Sequence, residues 1–341
     1  MANALNDLLR ATSRSFYLTL RVLPARVRPQ IGLAYLLART TDTIADTEIV
    51  PLAQRLDALQ KLRERILGRS SALLNFGEFA KQQASPAERL LLEKAEDSLA
   101  LLQKLSPADQ QRVRGVLDII TGGQELDLQR FDGASAENII ALKSANELDD
   151  YAYRVAGCVG EFWTQVCRAH LFPHAELEDA QLFGDSIRFG KGLQLVNILR
   201  DLAADLRKGR CYLPSLELDQ SGLMPTVLLS PVNESRFRPL YHRYLDVAES
   251  HLQAGWNYTN ALPRGQVRVR LACAWPILIG VKTINRLRAA NVLELRQGVK
   301  ISRGEVRGIL LWSVLSYPLP KVWRKLFVAN RKTIAPGEKL G

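Results

Sequence analysis

Two acidic spacings mark where this chain could do chemistry. From Ile31 to Thr47 it reads IGLAYLLARTTDTIADT, with Tyr35, Arg39, Asp42 and Asp46 at successive steps of four, three and four. Those steps place all four side chains on one face of a helix. From Gly190 to Pro214 it reads GKGLQLVNILRDLAADLRKGRCYLP, where Gln194, Asn197, Asp201 and Asp205 step by three, four and four. Carboxylates one turn apart repel each other unless a cation sits between them, and a hard divalent ion such as Mg²⁺ prefers oxygen ligands. Arg200 flanks the second stripe, and Arg207, Lys208 and Arg210 continue its charge. Amide, carboxylate and guanidinium groups together suit a Mg²⁺–diphosphate complex, with oxygens for the metal and donors for the phosphate.

A lone pair of this kind carries little weight. Among 35 acidic residues, chance gives roughly three or four acid-x-x-x-acid pairs. Glu93 and Asp97, within LLLEKAEDSL, read as a solvated helix face of that sort. The other two pairs differ because each extends into a longer polar stripe bounded by apolar residues. Leu33, Leu36, Leu37 and Ile44 border the first, and Leu193, Val196, Leu199, Leu202 and Leu206 border the second.

Helices are the elements available to hold these stripes. Alternating Val/Ile/Thr runs are scarce and no Asn-Gly or Asp-Gly hairpin turn separates such runs, whereas helix starts recur. Ser85-Pro86-Ala87-Glu88 and Ser302-Arg303-Gly304-Glu305 read as capping boxes, and Ser106-Pro107-Ala108-Asp109 opens a long periodic segment. Prolines at 51, 86, 107, 173, 214, 225, 263 and 276 punctuate stretches of helical length. With no internal repeat and no linker composition, the expectation is one all-α domain over residues 1–329, followed by a frayed polar tail over 330–341.

The bulk properties narrow the partners. An apolar fraction of 47% supplies an ordinary globular core. The formal charge of +11 suits an anionic partner. Basic residues are dispersed and not interleaved with aromatics, which argues against nucleic acid. Cys158, Cys167, Cys211 and Cys273 lack C-x-x-C spacing, and the four histidines do not complement them, so neither a disulfide framework nor zinc is expected. The N-terminal residues lack a signal-peptide pattern, and the expected location is the cytoplasm. The apolar stretch from Gly308 to Tyr317 is too short to span a bilayer. Near Trp312 two readings stay open, a peripheral contact with the inner face of the membrane or packing into the core. Oligomeric state is open as well.

The chain resembles the squalene and phytoene synthase family, the head-to-head prenyl-diphosphate condensing enzymes. Four blocks carry the resemblance in the family's order: Ser13-Arg14-Ser15-Phe16, the stripe from Tyr35 to Asp46, Tyr151-Ala152-Tyr153-Arg154-Val155-Ala156-Gly157, and QLVNILRDLAADLRKGRCYLP. The resemblance implies an isoprenoid-synthase-type helical bundle around a central apolar cavity. It also implies that Asp42, Asp46, Asp201 and Asp205 hold Mg²⁺. Ser13, Arg14, Arg39, Gln194, Asn197 and Arg200 correspond to substrate-side positions that meet diphosphate. Tyr151 corresponds to a tyrosine beside the reacting carbons, and Phe16 and Tyr35 to aromatics near the same cavity.

Among the family's branches, RVAGCVGEFWT and DLAADLRKGRCYLP look closest to the bacterial enzymes that make squalene. That branch joins two farnesyl diphosphates into presqualene diphosphate and reduces it with NADPH, for which Lys300, Arg303, Arg39 and Asn197 are the expected contacts. Ser302 departs from the pattern by standing where eukaryotic members carry a basic residue, and no G-x-G-x-x-G supports a dinucleotide independently. The alternatives are release without reduction, as dehydrosqualene, phytoene or hydroxysqualene, and a non-catalytic member that binds lipid or protein.

Overall fold

The computed structural model describes residues 9–10, 20, 22–294 and 298–331. These residues are overwhelmingly helical, as expected, and divide into two compact units, one comprising residues up to 132 together with 158–176, the other 133–157 and 177 onward.

In the first unit, α1 (Arg28–Ala45) is contacted by α2 (Leu52–Leu67), α4 (Pro86–Glu93), α5 (Ala95–Gln103), α6 (Pro107–Arg130) and α8 (Cys158–His170), while the short α3 (Gly77–Lys81) packs on α4. Leu33, Leu36, Leu37 and Ile44 of α1 are buried with Leu59 and Leu62 of α2 and Val113 and Leu117 of α6. The threonine-rich end of α1 tolerates burial because its hydroxyls bond to its own backbone: Thr40 to the Leu36 carbonyl at 2.9 Å, Thr43 to Arg39 at 2.9 Å and Thr47 to Thr43 at 2.6 Å. A polar knot ties three helices together, with Gln30 Nε2 donating to Asp109 Oδ2 at 3.1 Å and His170 Nε2 lying 2.9 Å from Asp109 Oδ1.

In the second unit, α7 (Ala145–Ala152) runs into a π-helical turn (Tyr153–Gly157), and the long α9 (Asp179–Arg207) packs along α11 (Glu234–Ala261). Short α10 (Ser215–Gln220) and a pair of 3₁₀ turns lie between these long helices, and α12 (Val267–Ala289), α13 (Arg303–Ser316) and α14 (Pro320–Arg331) complete the unit. Leu195, Val196, Leu199, Leu202 and Leu206 are the buried face of α9. Tyr241 of α11 donates its hydroxyl to the Leu199 carbonyl at 2.9 Å. A two-residue parallel pair, β1 (Ile140–Ala141) with β2 (Arg210–Cys211), fastens the chain just beyond α9 to the segment before α7. Gly209 makes this approach with a φ of 79°, and a Cβ there would lie 2.2 Å from the Ser135 backbone nitrogen.

Local expectations meet the structure unevenly. Ser302 and Glu305 form the full capping box, and Ser106 accepts from the Asp109 amide, but Ser85 makes no side-chain cap. The proline that follows Ser85 already fixes the first turn of α4 without one. Pro276 does not end a helix and sits inside α12. Glu93 and Asp97 are both exposed, yet Lys94 separates α4 from α5 between them, so they do not share a continuous helix. Helix α14 runs through Asn330 and Arg331, past the start of the expected tail. All four cysteines are buried, and none is in a disulfide among the described residues.

Among the described residues no helix is long and apolar enough to cross a membrane. Trp312 is 57% exposed and its neighbours Leu311 and Leu315 are exposed too, so this segment lies at the surface and not in the core.

Candidate active site

In the first unit, α1 presents Tyr35, Arg39 and Asp42 along one side, and Asp46 serves as the residue that closes the helix in αR conformation. Asp46 is exposed, while Asp42 and Arg39 are partly covered. Gln124 of α6 donates its amide Nε2 to Asp42 Oδ1 by a short hydrogen bond. Arg39 Nη1 lies 3.7 Å from the other oxygen of Asp42, and its Nη2 donates to Glu88 Oε1 at 2.7 Å. Arg39 is thus shared between Asp42 and Glu88 rather than held free for phosphate.

Water still reaches Asp42, whose side chain is 46% exposed, but protein surrounds it closely enough to strip much of its hydration. That burial, followed by repulsion from Asp46, pushes its pKa up to about 6 against the opposing pull of Arg39 and Gln124. An acid held in this way gains from a cation. The amide oxygen of Gln124 and the hydroxyl of Thr121 are buried without hydrogen-bond partners among the described residues, leaving oxygen lone pairs unused one helix away from Asp42.

In the second unit, Gln194, Asn197, Asp201 and Asp205 rise along α9 as the spacing predicts, with Asn197 exposed and the other three partly covered. Arg200 grips its neighbour Asp201 with two bonds, Nε to Oδ1 at 2.8 Å and Nη2 to Oδ2 at 2.6 Å. This pairing, followed by the more distant charge of Asp205, outweighs burial and raises the arginine's pKa further above its usual value. Both partners remain open to solvent, at 36% and 47% side-chain exposure, so either can be drawn to a ligand at modest cost.

The RVAG block packs directly on this helix. A Cβ at Gly190 of α9 would fall 2.1 Å from the Ala156 carbonyl oxygen, so only glycine lets the π turn lie so close. Lys191 next to it clamps both oxygens of Asp149 at 2.7 Å. Tyr151, at the end of α7, is buried and stacks on Tyr212 with ring centroids 4.6 Å apart. Tyr212 belongs to the same RCYLP run that follows Asp205. The π turn begins two residues after Tyr151 and re-aims the chain there.

Beyond α12, Gly298 and Val299 share a cavity of about 90 Å³ with Arg200 and Asp201. The strip carrying Lys300 therefore begins beside the second aspartate stripe. Lys300 and Arg303 are both exposed. Ser13, Arg14 and Phe16 lie outside the described residues.

No group of three or more His, Cys, Asp or Glu side chains converges among the described residues. Each aspartate pair could therefore give a cation few protein oxygens, leaving water and substrate phosphate to fill the rest. That donor set fits Mg²⁺, which retains waters and is bound through one or two carboxylates plus phosphate, and does not fit an all-protein Ca²⁺ cage.

Sequence reasoning missed Gln124, Glu88 and Tyr212 as neighbours of these sites. Thr121 and Gln124, three apart in TGGQEL, form a short polar stripe that could have singled out α6, but nothing in its spacing names Asp42 as the partner.

A family model described as squalene/phytoene synthase matches residues 9–305. The squalene synthase ERG9 of Saccharomyces cerevisiae is 26% identical over 307 residues, covering 90% of this chain and 66% of that protein. A bifunctional lycopene cyclase/phytoene synthase of Blakeslea trispora is 30% identical over 213 residues, covering 61% of this chain and 32% of that one. The chain thus spans about two thirds of the first relative's length and a third of the second's. A solved structure of TcSQS in complex with the ligand E5700 superposes with a TM-score of 0.77 at 21% identity, covering 98% of this chain and 93% of that one, which shows a shared fold.

Proposed function

This chain belongs to the squalene/phytoene synthase family, and we propose that it condenses two farnesyl diphosphates head to head into presqualene diphosphate and converts this to squalene with NADPH. The observation that carries the reading is the pair of one-sided aspartate stripes on α1 and α9, each flanked by a partly exposed arginine and backed by a buried apolar face.

Asp42 and Asp46, and Asp201 and Asp205, are the residues that would hold Mg²⁺. When bound, the ions neutralise the departing diphosphate and so permit ionisation of the allylic C–O bond. Gln124 fixes the rotamer of Asp42 and keeps one carboxylate oxygen oriented. Arg200, already gathered at the Asp201 carboxylate, can turn its guanidinium donors to a diphosphate oxygen. The stacked rings of Tyr151 and Tyr212 offer a rigid aromatic wall whose faces stabilise positive charge without supplying a nucleophile to quench it. Lys300 and Arg303 are the basic groups available to the phosphates of NADPH, which when bound supplies the final hydride.

A second reading, release of the hydrocarbon without reduction, is favoured by one local observation. Ser302 uses its hydroxyl as the N-cap of α13, in a reciprocal box with Glu305, so the position that departs from the reductive pattern serves helix geometry here.

Incubation with Mg²⁺ and farnesyl diphosphate, with and without NADPH, tests both by mass spectrometry of the products. Squalene formed only with NADPH is the expected result. The same products in both incubations would replace the reductive reading by the second one. A wild type that releases no more diphosphate than Asp42→Ala and Asp201→Ala variants would make the protein a non-catalytic binder.

A further inference from the structure

At the end of α11 remote from Asp201 and Asp205, three arginines gather around one pocket. A pocket of about 340 Å³ is lined by Arg264, Arg270 and Arg324 together with Asn260, Tyr317 and Trp323, and no carboxylate lines it among the described residues. Arg270 is only 6% exposed. Its guanidinium lies 5.5 Å from the Tyr317 ring centre and 5.6 Å from that of Trp323, and Nη2 donates to the neutral Asn260 Oδ1 at 3.1 Å. Its Nε is buried with no hydrogen-bond partner among the described residues. The neighbouring polar groups are already committed: Trp323 Nε1 donates to Asn260 and the Tyr317 hydroxyl to the Arg264 carbonyl.

A buried guanidinium is ordinarily kept by an ion pair, because stripping its water is costly. Here aromatic faces and one amide are its partners, and Arg264 and Arg324 add like charge. Burial, together with those two arginines, depresses its pKa, with Tyr317 acting in the opposite direction. An anion entering the pocket would meet three guanidinium-bearing residues and no carboxylate among the described residues.

We propose that this pocket binds a phosphate group, as free phosphate or as the headgroup of an anionic lipid. It is separate from the second aspartate stripe, at Asp201. Twelve steps along α9 lead from Asp201 to Phe189, which packs on Gly255 of α11, and six more lead to Ala261 at the pocket. At about 1.5 Å per residue, the two sites stand about 27 Å apart along the helices. The lipid source is physically natural because Leu319 and Val322, beside the pocket residues of α14, are exposed at 57% and 37%.

The test uses the full chain in EDTA, so that metal-bridged phosphate at the aspartates does not contribute, and compares wild type with Arg264→Gln/Arg324→Gln. Both arginines are exposed, so the variant retains its core. In one arm, about 20 mM inorganic phosphate, balanced by chloride at equal ionic strength, should raise the wild-type melting temperature by about 2–3 °C and the variant's by less than a third as much. In the other arm, co-sedimentation with phosphatidylglycerol vesicles, set against phosphatidylcholine, should fall at least threefold in the variant. Loss in the phosphate arm alone identifies free phosphate as the ligand, and loss in the vesicle arm identifies a headgroup. If the variant matches wild type in both arms, or if Lys81→Gln/Lys104→Gln, which removes the same charge elsewhere, produces an equal loss, the proposal is wrong.

Discussion

Asp42 on α1 and Asp201 on α9 open the same acid-x-x-x-acid spacing, but their neighbours treat them in opposite ways. Asp42 is crowded, touched by an amide from another helix and only distantly by Arg39, whose second nitrogen is bonded to Glu88. Its charge is penalised, and the site favours a cation. Asp201, whose side chain is exposed to the same degree as that of Asp42, is paired on both oxygens with the arginine beside it. In the proposed function the first stripe would receive metal, whereas the second would offer its arginine to phosphate. Identical spacing therefore carries different electrostatics, and the difference comes from residues far away in sequence.

Removing either acid is the largest perturbation of this comparison. Asp42→Ala and Asp201→Ala should each lower Mg²⁺-dependent diphosphate release on the order of 1,000-fold, and only Asp42→Ala should stabilise the metal-free fold. Comparable stability changes in the two variants would erase the proposed contrast.

Backbone support for the second site comes next. Gly190→Ala drives a Cβ against the Ala156 carbonyl and should cost about 1–3 kcal/mol in urea unfolding. In the first unit, Gly115 of α6 is exposed with nothing within 4 Å of its Cβ position, and Gly115→Ala should instead gain about 0.5–1 kcal/mol.

Support for the first site is a side chain. Gln124→Leu should weaken the apparent affinity for Mg²⁺ about tenfold, through a looser Asp42, while leaving affinity for diphosphate at Arg200 unchanged in a direct binding assay. An unaltered metal dependence would show that Asp42 needs no partner.

The smallest effect concerns pH. Because the folded pKa of Asp42 is raised from 3.8 to about 6, the native state binds more protons between those values, and stability falls as pH rises through that window. Asp42→Asn should therefore melt higher than wild type in EDTA at pH 7.5, by about 1 kcal/mol since water partly screens the carboxylate, with no gain below pH ~4. A gain that persisted at low pH would assign the effect to packing instead of charge.

Much of this was legible in the residues. Helical periodicity placed the two stripes on α1 and α9, and Ser302, Glu305 and Ser106 marked helix starts that the structure contains. Helix geometry is local, so four-residue steps suffice to read it. Gln124 was not legible, because 82 positions separate it from Asp42 and only the packing of α6 on α1 brings the two together. Tyr212 was printed within a recognised block, but its stack on Tyr151 depends on the π turn and on Gly190 allowing the chain to lie close.

The amino-acid order alone offered the groups for the proposed chemistry and the helix faces on which they stand, since these depend on neighbours within a turn or two, and four blocks spread along the chain carried the family resemblance. Tertiary packing decided how hard it is for Asp42 to hold its charge, which acid each arginine pairs with, and that Arg270 is buried among aromatics without a counter-ion among the described residues. Desolvation and charge pairing depend on what surrounds a group in space, and those surroundings come from distant parts of the chain.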